Sequence, residues 1–329
     1  MKAIVTEQYG PPDVLHLKEV EKPAPKEGEV LVKVHAASVN AYDWHLLTAD
    51  IFLVRLMGGG LLKPKNTMVG ADIAGQVEAV GSNVQQFKPG DEVFGDIAPS
   101  GSGGFAEYAS VPEKLLALKP DNLSFEEAAA VPMAAVTALQ GLRDVGQIKP
   151  GQKVLVQGAS GGVGTFAVQI AKAFGAEVTA VCSTRNLEQA RTLGADHVID
   201  YTKEDFTQNG QQYDLILAAN GFHPLSAYKR ALAPGGRYVM AGGKPAQIFQ
   251  AMLLGPLMSG GGKKMGGVSA HTSQNDLNIL KELLETGKVV PVIDRRYPLS
   301  ETAEALRYLG EGHARGKVVI TVAEDTGNQ

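Results

Sequence analysis

Cysteine is nearly missing from this sequence of 329 residues. Cys182 is the only one, so the chain cannot form a disulfide within itself. Disulfides persist in oxidising compartments, and a chain that uses none fits a reducing one. The first ten residues, MKAIVTEQYG, have the pattern of a strand and lack the apolar core of a signal peptide. We therefore expect a cytoplasmic protein.

Long apolar runs are missing as well. No stretch reaches the roughly 20 apolar residues of a membrane-spanning helix. The longest candidate, residues 251–258, is short and contains Pro256. The sequence therefore predicts no integral membrane span.

Positive charge is not in excess. The formal net charge is -4 at pH 7, and no run of four or more Lys or Arg occurs. Binding to nucleic acid needs a basic face, so we expect no nucleic-acid partner. What remains is the composition of a soluble globular protein, with 44% hydrophobic residues and 39 glycines that follow no period. The length exceeds that of one ordinary core and predicts two domains.

The first part of the chain has short strand signals. Residues 29–36, EVLVKVHA, alternate polar and apolar side chains with the period of a half-buried strand. The turn Lys88-Pro89-Gly90 separates further strand-like segments, and helical patterns are sparse. Residues 1–125 therefore indicate a small, partly closed β domain.

A different rhythm begins near Ser124. Ser124 and Glu127 have the spacing of a capping box, and an alanine-rich helix is expected from there to about Val145. Strands and helices then alternate over residues 126–273, which predicts a parallel sheet with helices on both faces. We expect residues 274–329 to return to the first domain, with the cofactor in a cleft between the domains. The Met- and Gly-rich segment 248–265 is expected to be mobile, with a role at the substrate mouth, a dimer contact or a lipid surface.

A glycine-rich loop lies between the strand KVLVQ and the following helix. Its residues are Gly158, Ala159, Ser160, Gly161, Gly162, Val163 and Gly164. Ala159, Gly161 and Gly164 occupy the spacing of the G-x-G-x-x-G fingerprint, with alanine in the first place. Glycines let the backbone approach a pyrophosphate, and the helix N-terminus presents N–H groups to it. The loop therefore predicts a dinucleotide site.

The end of the next strand indicates which dinucleotide is bound. NAD proteins place Asp or Glu there to hold the ribose 2′-hydroxyl. Here the residues are Ser183, Thr184 and Arg185. Two hydroxyl donors and a guanidinium suit a 2′-phosphate, so we expect NADPH.

Sequence blocks along the whole chain resemble the medium-chain dehydrogenase/reductase superfamily, and in particular its zinc-free quinone oxidoreductase branch. The blocks that carry the resemblance are MKAIV, VNAYDW, VGADIAGQVEAVG, FKPGDEVFG, GGFAEYASV, VPMAAVTALQGL, GASGGVG, LGADHVIDY, LAPGGRYV and GKVVITV. The resemblance implies an α/β protein in which a GroES-like, partly closed β-barrel domain accompanies a doubly wound Rossmann domain.

The departures from the zinc enzymes of this superfamily concern the metal ligands. Those enzymes use a cysteine after the first core strand, a Gly-His-Glu block and a later cysteine. The corresponding positions here hold Asn40 and the block Gly70-Ala71-Asp72. A catalytic zinc ion needs about three N, S or O ligands around an open position. We therefore expect no metal.

Without a Lewis acid, a quinone or an α,β-unsaturated carbonyl is the most accessible hydride acceptor, because it delocalises the incoming charge onto oxygen. The expected function is NADPH-dependent reduction of such a small, electron-poor substrate. Two alternatives stay open. An enoyl-thioester reductase would use Lys63, Lys65, Lys263 and Lys264 to bind a carrier phosphate, and an NADPH-binding sensor or scaffold would turn over little. A homodimer is expected by analogy with the superfamily.

The resemblance also implies positions for the remaining site residues. The loop 38–45 would lie beside the nicotinamide, with Asn40 donating to the substrate oxygen or positioning the cofactor. Asp43 would brace this loop or take part in catalysis. A proton would come from Tyr42, His45 or water, while Trp44 and His45 would either shape a pocket or pack.

Further cofactor contacts are expected from several separate segments. Thr137 would lie near the nicotinamide amide and Tyr201 near the adenine ribose. Lys317 would touch the cofactor or be solvated. Residues that follow the parallel strands complete the set, because such sheets bind ligands at the carboxyl ends of their strands. These residues are Asn220, Ala241, Gly242 and Gly243.

Overall fold

A computed structural model describes residues 1–50, 60, 62–243 and 245–322. Two compact units divide the chain. Unit 1 comprises Met1–Met133, Thr272–Glu285 and Pro291–Gln329, and unit 2 comprises Ala134–His271 and Thr286–Val290. No helix within the described ranges is long and apolar enough to cross a membrane.

The secondary structure of the described residues follows in chain order. The strands are β1 Lys2–Val5, β2 His16–Glu19, β3 Glu29–Val39, β4 Asp72–Val80, β5 Glu92–Asp96, β6 Tyr108–Pro112, β7 Leu116–Leu118, β8 Lys153–Gln157, β9 Glu177–Cys182, β10 His197–Asp200, β11 Tyr213–Ala218, β12 Leu232–Met240, β13 Lys264–Gly267, β14 Ile293–Pro298 and β15 Lys317–Thr321. The helices are α1 Ala41–Thr48, α2 Phe125–Ala129, α3 Pro132–Gln140, α4 Gly162–Ala173, α5 Leu187–Thr192, α6 Leu225–Ala231, α7 Pro245–Met258, α8 Gln274–Glu285 and α9 Thr302–Gly310.

Unit 2 contains a parallel sheet in the order β10-β9-β8-β11-β12-β13. The order reverses between β8 and β11, which is the switch point of a doubly wound sheet. Apolar β8 and β11 are buried on both faces, as central parallel strands are. The predicted Rossmann fold is confirmed.

Unit 1 contains a seven-stranded sheet. Six of its strands are neighbours in the order β14-β15-β3-β4-β5-β7, and the seventh, β6, pairs with β3. The long strand β3 pairs with β6 through its first half and with β15 through its second half. This exchange of partners lets the sheet curl around an apolar core that includes Val32, Val77 and Val111. The GroES-like expectation for the fold is confirmed.

Two local expectations were wrong. The alanine-rich helix is not continuous to Val145, because α2 ends at Ala129 and α3 begins at Pro132, a residue that is favoured in a first helical turn and disfavoured inside a helix. Residues 38–45 are not a loop, since β3 runs to Val39 and α1 begins at Ala41. Segment 248–265 includes most of α7, whose Ile248, Ala251 and Met258 pack on the core of unit 2, and its mobility and role stay predictions.

The capping box at the start of α2 is confirmed. The Ser124 hydroxyl accepts from the Glu127 amide at 3.2 Å, and the Ser124 amide donates to Glu127 Oε2 at 2.8 Å.

Candidate functional site

The glycine-rich loop of unit 2 turns sharply after β8. Gly158 has a φ of +78°, a conformation that glycine adopts without strain. The amides of Gly158 and Ala159 both donate to Val181 O at 3.1 Å, and Ala159 is fully buried. Ala159 therefore fastens the loop to β9, and its amide is not free to contact a ligand as the fingerprint position suggested.

The start of α4 presents backbone donors. The first helical hydrogen bond runs from Thr165 N–H to Gly161 O at 2.9 Å, so the amides of Gly162, Val163 and Gly164 precede it and point out of the helix end. A Cβ at Gly161 would meet only Gly158 O, at 3.6 Å, whereas a Cβ at Gly164 would lie 2.0 Å from that oxygen. The open face at Gly161 and the close packing at Gly164 fit the binding of a pyrophosphate.

The end of β9 carries the residues expected at the ribose. Thr184 and Arg185 are exposed, and Ser183 is half-buried. The Thr184 hydroxyl donates to Asp200 Oδ2 at 2.5 Å, and the Thr202 hydroxyl donates to Asp200 Oδ1 at 2.7 Å. These bonds lower the pKa of Asp200 to about 2. The Thr184 hydrogen is therefore already used, which corrects the expectation that both Ser183 and Thr184 donate to a phosphate.

The structure gathers other predicted residues at the carboxyl edge of this sheet. The Tyr201 amide donates to Cys182 O at 3.1 Å, and the amides of Ala241 and Gly242 donate to Ala218 O at 2.9 and 3.2 Å. Gly243 forms a β-bridge with Gly221, and Asn220 lies so close to Gly158 that a Cβ there would be 2.9 Å from Asn220 Cβ. Thr137 is nearly buried, on α3.

A buried polar cluster occupies unit 1 where β3, β4 and β15 meet. Asp72 Oδ2 accepts from Ser38 Oγ at 3.0 Å and from Asn40 Nδ2 at 2.9 Å, and Asp72 Oδ1 accepts from the Met133 amide at 3.0 Å. Lys317 Nζ donates to Asn40 Oδ1 and lies 3.5 Å from Asp72 Oδ2. Lys317 is only 3% exposed, so the expectation of a solvated lysine was wrong.

Asn40 is fully engaged within this cluster. Its two Nδ2 hydrogens go to Asp72 Oδ2 and to Ser38 O, the latter at 3.3 Å, while its Oδ1 accepts from Lys317. Donation to a substrate would break a buried hydrogen bond, which costs about 1–3 kcal/mol. Of the two roles expected for Asn40 from the sequence, the geometry therefore favours positioning over direct donation to the substrate.

Two further acids lie in unit 1 with shifted pKa values. Asp43 is 1% exposed, and its Oδ2 accepts from the Asn40 amide at 2.8 Å. Burial raises the pKa of Asp43 to about 8. Burial and the nearby Asp72 raise the pKa of Asp96 to about 6, although Asp96 accepts from Thr272 Oγ1 at 2.7 Å. Asp43 is therefore mostly a neutral carboxylic acid at pH 7, and it braces the start of α1.

The aromatic residues of α1 separate into different roles. Trp44 packs on the apolar cluster of unit 1, where a Cβ at Gly310 would lie 2.4 Å from its ring, so it is a packing residue. His45 Nδ1 lies 2.8 Å from Asp50 Oδ1. Tyr42 is 38% exposed, and burial of the remainder raises its pKa, so the phenol stays protonated at neutral pH.

The residues that the sequence resemblance places at zinc-ligand positions do not fit a zinc ion. Asn40 and Asp72 are bonded to each other, Ala71 has no donor atom, and the Lys317 ammonium lies against the carboxylate. A second cation would be repelled there. Within the described ranges, no cluster of three or more His, Cys, Asp or Glu side chains is arranged to hold a metal.

Comparisons with known proteins identify relatives of this chain. The profile of the alcohol dehydrogenase GroES-like domain matches residues 26–121, and that of the zinc-binding dehydrogenases matches residues 193–320. The chain is 40% identical to the 2-methylene-furan-3-one reductase of Solanum lycopersicum, over 97% of this chain and 79% of the relative. It is 37% identical to the NADPH-dependent alkenal/one oxidoreductase of Arabidopsis thaliana, with the same coverage of 97% and 79%. The quinone oxidoreductase of Coxiella burnetii superposes with a TM-score of 0.87 at 30% identity, covering 98% of this chain and 99% of that chain.

The fold, the two matching domain profiles and the named relatives together define the class of this protein. It is an oxidoreductase that has a GroES-like domain and a Rossmann domain and uses a nicotinamide cofactor. The chain belongs to the medium-chain dehydrogenase/reductase superfamily, in its zinc-free quinone oxidoreductase branch. The resemblance inferred from the sequence is confirmed.

Sequence reasoning missed several members of the site. Ser38 and Asp96 were not singled out, Asp72 was considered only as a lost zinc ligand, and Lys317 was not paired with it. The available signal was an acid at the first position of the apolar strand DIAGQV, since a charge beside a buried strand needs a partner.

Proposed function

We propose that this protein is a zinc-independent, NADPH-dependent reductase that transfers hydride to a quinone or an α,β-unsaturated carbonyl. The observation that carries the proposal is the buried Lys317–Asp72–Asn40 cluster, because Asn40 and Asp72, the residues expected at zinc-ligand positions, are hydrogen-bonded to each other and lie against the Lys317 ammonium. A reductase without a Lewis acid needs an acceptor that is already activated. Conjugated carbonyls and quinones are such acceptors, and the relatives reported above are named as a furanone reductase, an alkenal/one oxidoreductase and a quinone oxidoreductase.

The preference for NADPH rests on the end of β9. No acid follows the strand directly, and Ser183 and the exposed Arg185 supply a hydroxyl and a guanidinium. A guanidinium pairs with a phosphate through charge-assisted hydrogen bonds. Asp200 lies nearby, but the hydroxyls of Thr184 and Thr202 occupy its carboxylate.

The residues of this chain bind, orient and supply a proton. When bound, NADPH supplies the hydride. The amides of Gly162, Val163 and Gly164 hold the pyrophosphate at the start of α4. Asn40, fixed by Asp72 and Lys317, sets the position of the turn between β3 and α1. Tyr42, the exposed phenol in the first turn of α1, donates a proton to the reduced product.

The test is oxidation of NADPH or NADH, followed by absorbance, after treatment of the protein with a chelator. The acceptors are 1,4-benzoquinone, 9,10-phenanthrenequinone, 2-hexenal, a crotonyl thioester and a simple ketone. We expect NADPH-selective turnover of a quinone or enone that survives chelation. Turnover that is lost on chelation, or a preference for NADH, would contradict the proposal.

The same assay decides between the alternatives. Turnover of the crotonyl thioester alone would favour an enoyl-thioester reductase. Tight NADPH binding without turnover of any acceptor would favour a sensor. A cytoplasmic location and a homodimer also stay predictions. Imaging of the tagged full chain tests the location, and light scattering tests the homodimer.

A further inference from the structure

The side chain of Asn186 connects the glycine-rich loop with the end of β9. Asn186 is 4% exposed, and its Nδ2 donates one hydrogen to Ser160 Oγ at 3.0 Å and the other to Ser183 Oγ at 3.2 Å. Its Oδ1 is buried and has no hydrogen-bond partner within the described part of the chain. The two bonds from the nitrogen therefore determine how the amide is oriented.

This orientation has a consequence for the two serines. A hydroxyl has one hydrogen and two lone pairs. Because each hydroxyl accepts from the amide of Asn186, each keeps its own hydrogen for another acceptor. Ser160 and Ser183 are half-buried, so both hydrogens are available at the surface of unit 2. The result is a pair of O–H donors, one from the loop and one from the strand end.

A capping role does not explain this use of Asn186. The residue is the N-cap of α5, where an asparagine usually accepts from the second or third helical amide through its Oδ1. No such side-chain bond forms here. The amide is turned toward the two serines instead, so the helix start is not what orients it.

We propose that Asn186 is a specificity-determining positioning residue that presents Ser160 and Ser183 as paired donors to the phosphate monoester on the adenosine ribose. Ser183 directly follows β9, where NAD proteins place the acid that binds the ribose. A phosphate monoester offers only acceptor oxygens at full ionisation, so two hydroxyl donors match it. This inference rests on the proposed function, because it assumes that the nucleotide site is occupied by NADPH.

The decisive variant is Asn186→Asp. The two carboxylate oxygens would accept the hydrogens of both serines and would place a negative charge beside the phosphate. We expect the dissociation constant of 2′,5′-ADP, measured by calorimetry, to rise about tenfold or more, and that of NADPH to rise in parallel. The dissociation constant of NADH is expected to stay within about twofold. Asn186→Ala removes the amide without adding charge and is expected to give a smaller loss with the same selectivity.

Asn209→Asp is the matched control. It adds the same charge to unit 2, but Asn209 precedes β11 and therefore lies at the amino-terminal edge of the parallel strands. We expect its nucleotide binding to equal that of the wild type. Thermal unfolding of each variant verifies that the fold persists.

A second measurement keeps the inference testable if Asn186→Asp does not fold. Ser183→Ala is expected to weaken 2′,5′-ADP binding, and combining it with Asn186→Ala is expected to add less than the sum of the two effects, because the amide acts through the hydroxyl. Additive effects would overturn the inference. Equal weakening of NADH and NADPH would also overturn it, since the amide would then serve the loop or the pyrophosphate.

Failure of this inference and failure of the proposed function are distinguishable. Unchanged 2′,5′-ADP binding in Asn186→Asp, with normal NADPH-dependent turnover in the wild type, would reject only the role of Asn186. Selective loss of 2′,5′-ADP binding in a protein that reduces no acceptor would support the role of Asn186 and reject the reductase.

Discussion

The ammonium of Lys317 lies 3.5 Å from the carboxylate of Asp72, and both side chains are buried in unit 1. Burial raises the pKa of Asp72 and lowers that of Lys317, and the opposite charge of each partner opposes these shifts. Asp43 is mostly neutral at pH 7, so Lys317 and Asp72 form the central ion pair of the cluster. The hydrogen bonds that Asp72 accepts from Ser38 and Asn40 further offset the cost of burying its carboxylate.

Removing the cation should leave a buried, uncompensated carboxylate. We expect Lys317→Met to lower the free energy of unfolding by about 3–5 kcal/mol, as measured by urea denaturation. The double variant Asp72→Asn/Lys317→Met removes both charges and should recover part of this loss. The control is Lys203→Met, which removes an ammonium that is 69% exposed and lies 3.7 Å from Asp200, and it should cost less than about 1 kcal/mol. Equal effects at the two lysines would show that the buried pair does not stabilise unit 1.

Asp43 should make stability fall as the pH rises. Its pKa is about 8 in the folded protein, well above the ordinary value of about 3.9 for an aspartate carboxyl. Between these values the folded state binds more protons than the unfolded state, so ionisation disfavours folding. We expect the free energy of unfolding of the wild type to fall by about 1 kcal/mol per pH unit between pH 5 and 7.5, relative to Asp43→Asn. The asparagine keeps an oxygen that accepts from the Asn40 amide.

Asp200 provides a control of opposite sign. The pKa of Asp200 is lowered to about 2 in the folded protein. Its contribution to the free energy of unfolding is therefore fully present above the pKa of the unfolded chain, and it is lost only as the pH falls toward 2. Asp200→Asn should therefore leave the slope of the free energy of unfolding against pH unchanged between pH 5 and 7.5. If the free energy of unfolding changed with pH in the same way for the wild type and Asp43→Asn over that range, the assignment of a neutral Asp43 would be contradicted.

Local patterns predicted unit 2 well because its signals lie close together in the sequence. The strand KVLVQ, the glycine-rich loop and the amphipathic helix α4 follow one another directly, and each has a period or a turn residue that can be read without knowing the fold. The same holds for the Ser124–Glu127 capping box. The N-x-x-D spacing of Asn40 and Asp43 was equally local, but the segment was interpreted as a loop.

Tertiary pairing determined what the sequence did not reveal. Lys317 contacts Asn40 across 277 positions, and nothing near either residue indicates the other. Asn186 has the local sequence of an ordinary helix cap, and only the convergence of the loop with the end of β9 gives its amide two serine partners. Burial of a polar group depends on such distant partners, so it is visible only in the folded chain.

Two glycines of the loop should respond differently to alanine. Gly164→Ala places a Cβ 2.0 Å from Gly158 O, which forces the helix away from the loop and should lower both stability and NADPH affinity. Gly161→Ala has room for its Cβ and an ordinary φ of -84°, so the melting temperature should stay near that of the wild type. The added methyl group faces the space where the pyrophosphate is expected, and NADPH affinity should fall about tenfold or more. Unchanged NADPH binding in Gly161→Ala would place the pyrophosphate elsewhere.

Tyr42 should act as the proton donor to the reduced product. Its hydroxyl stays protonated because burial raises its pKa, while the amide hydrogens of Asn40 are engaged and the ring of His45 contacts Asp50. We expect Tyr42→Phe to lower kcat for an enone by about a hundredfold, as general acids typically contribute, with little change in the dissociation constant of NADPH. A quinone whose reduced oxygens take protons from water should be affected much less. His45→Asn is the matched variant on α1 and should keep most of the activity. Equal losses with enone and quinone in Tyr42→Phe would show that the phenol shapes the site without donating a proton.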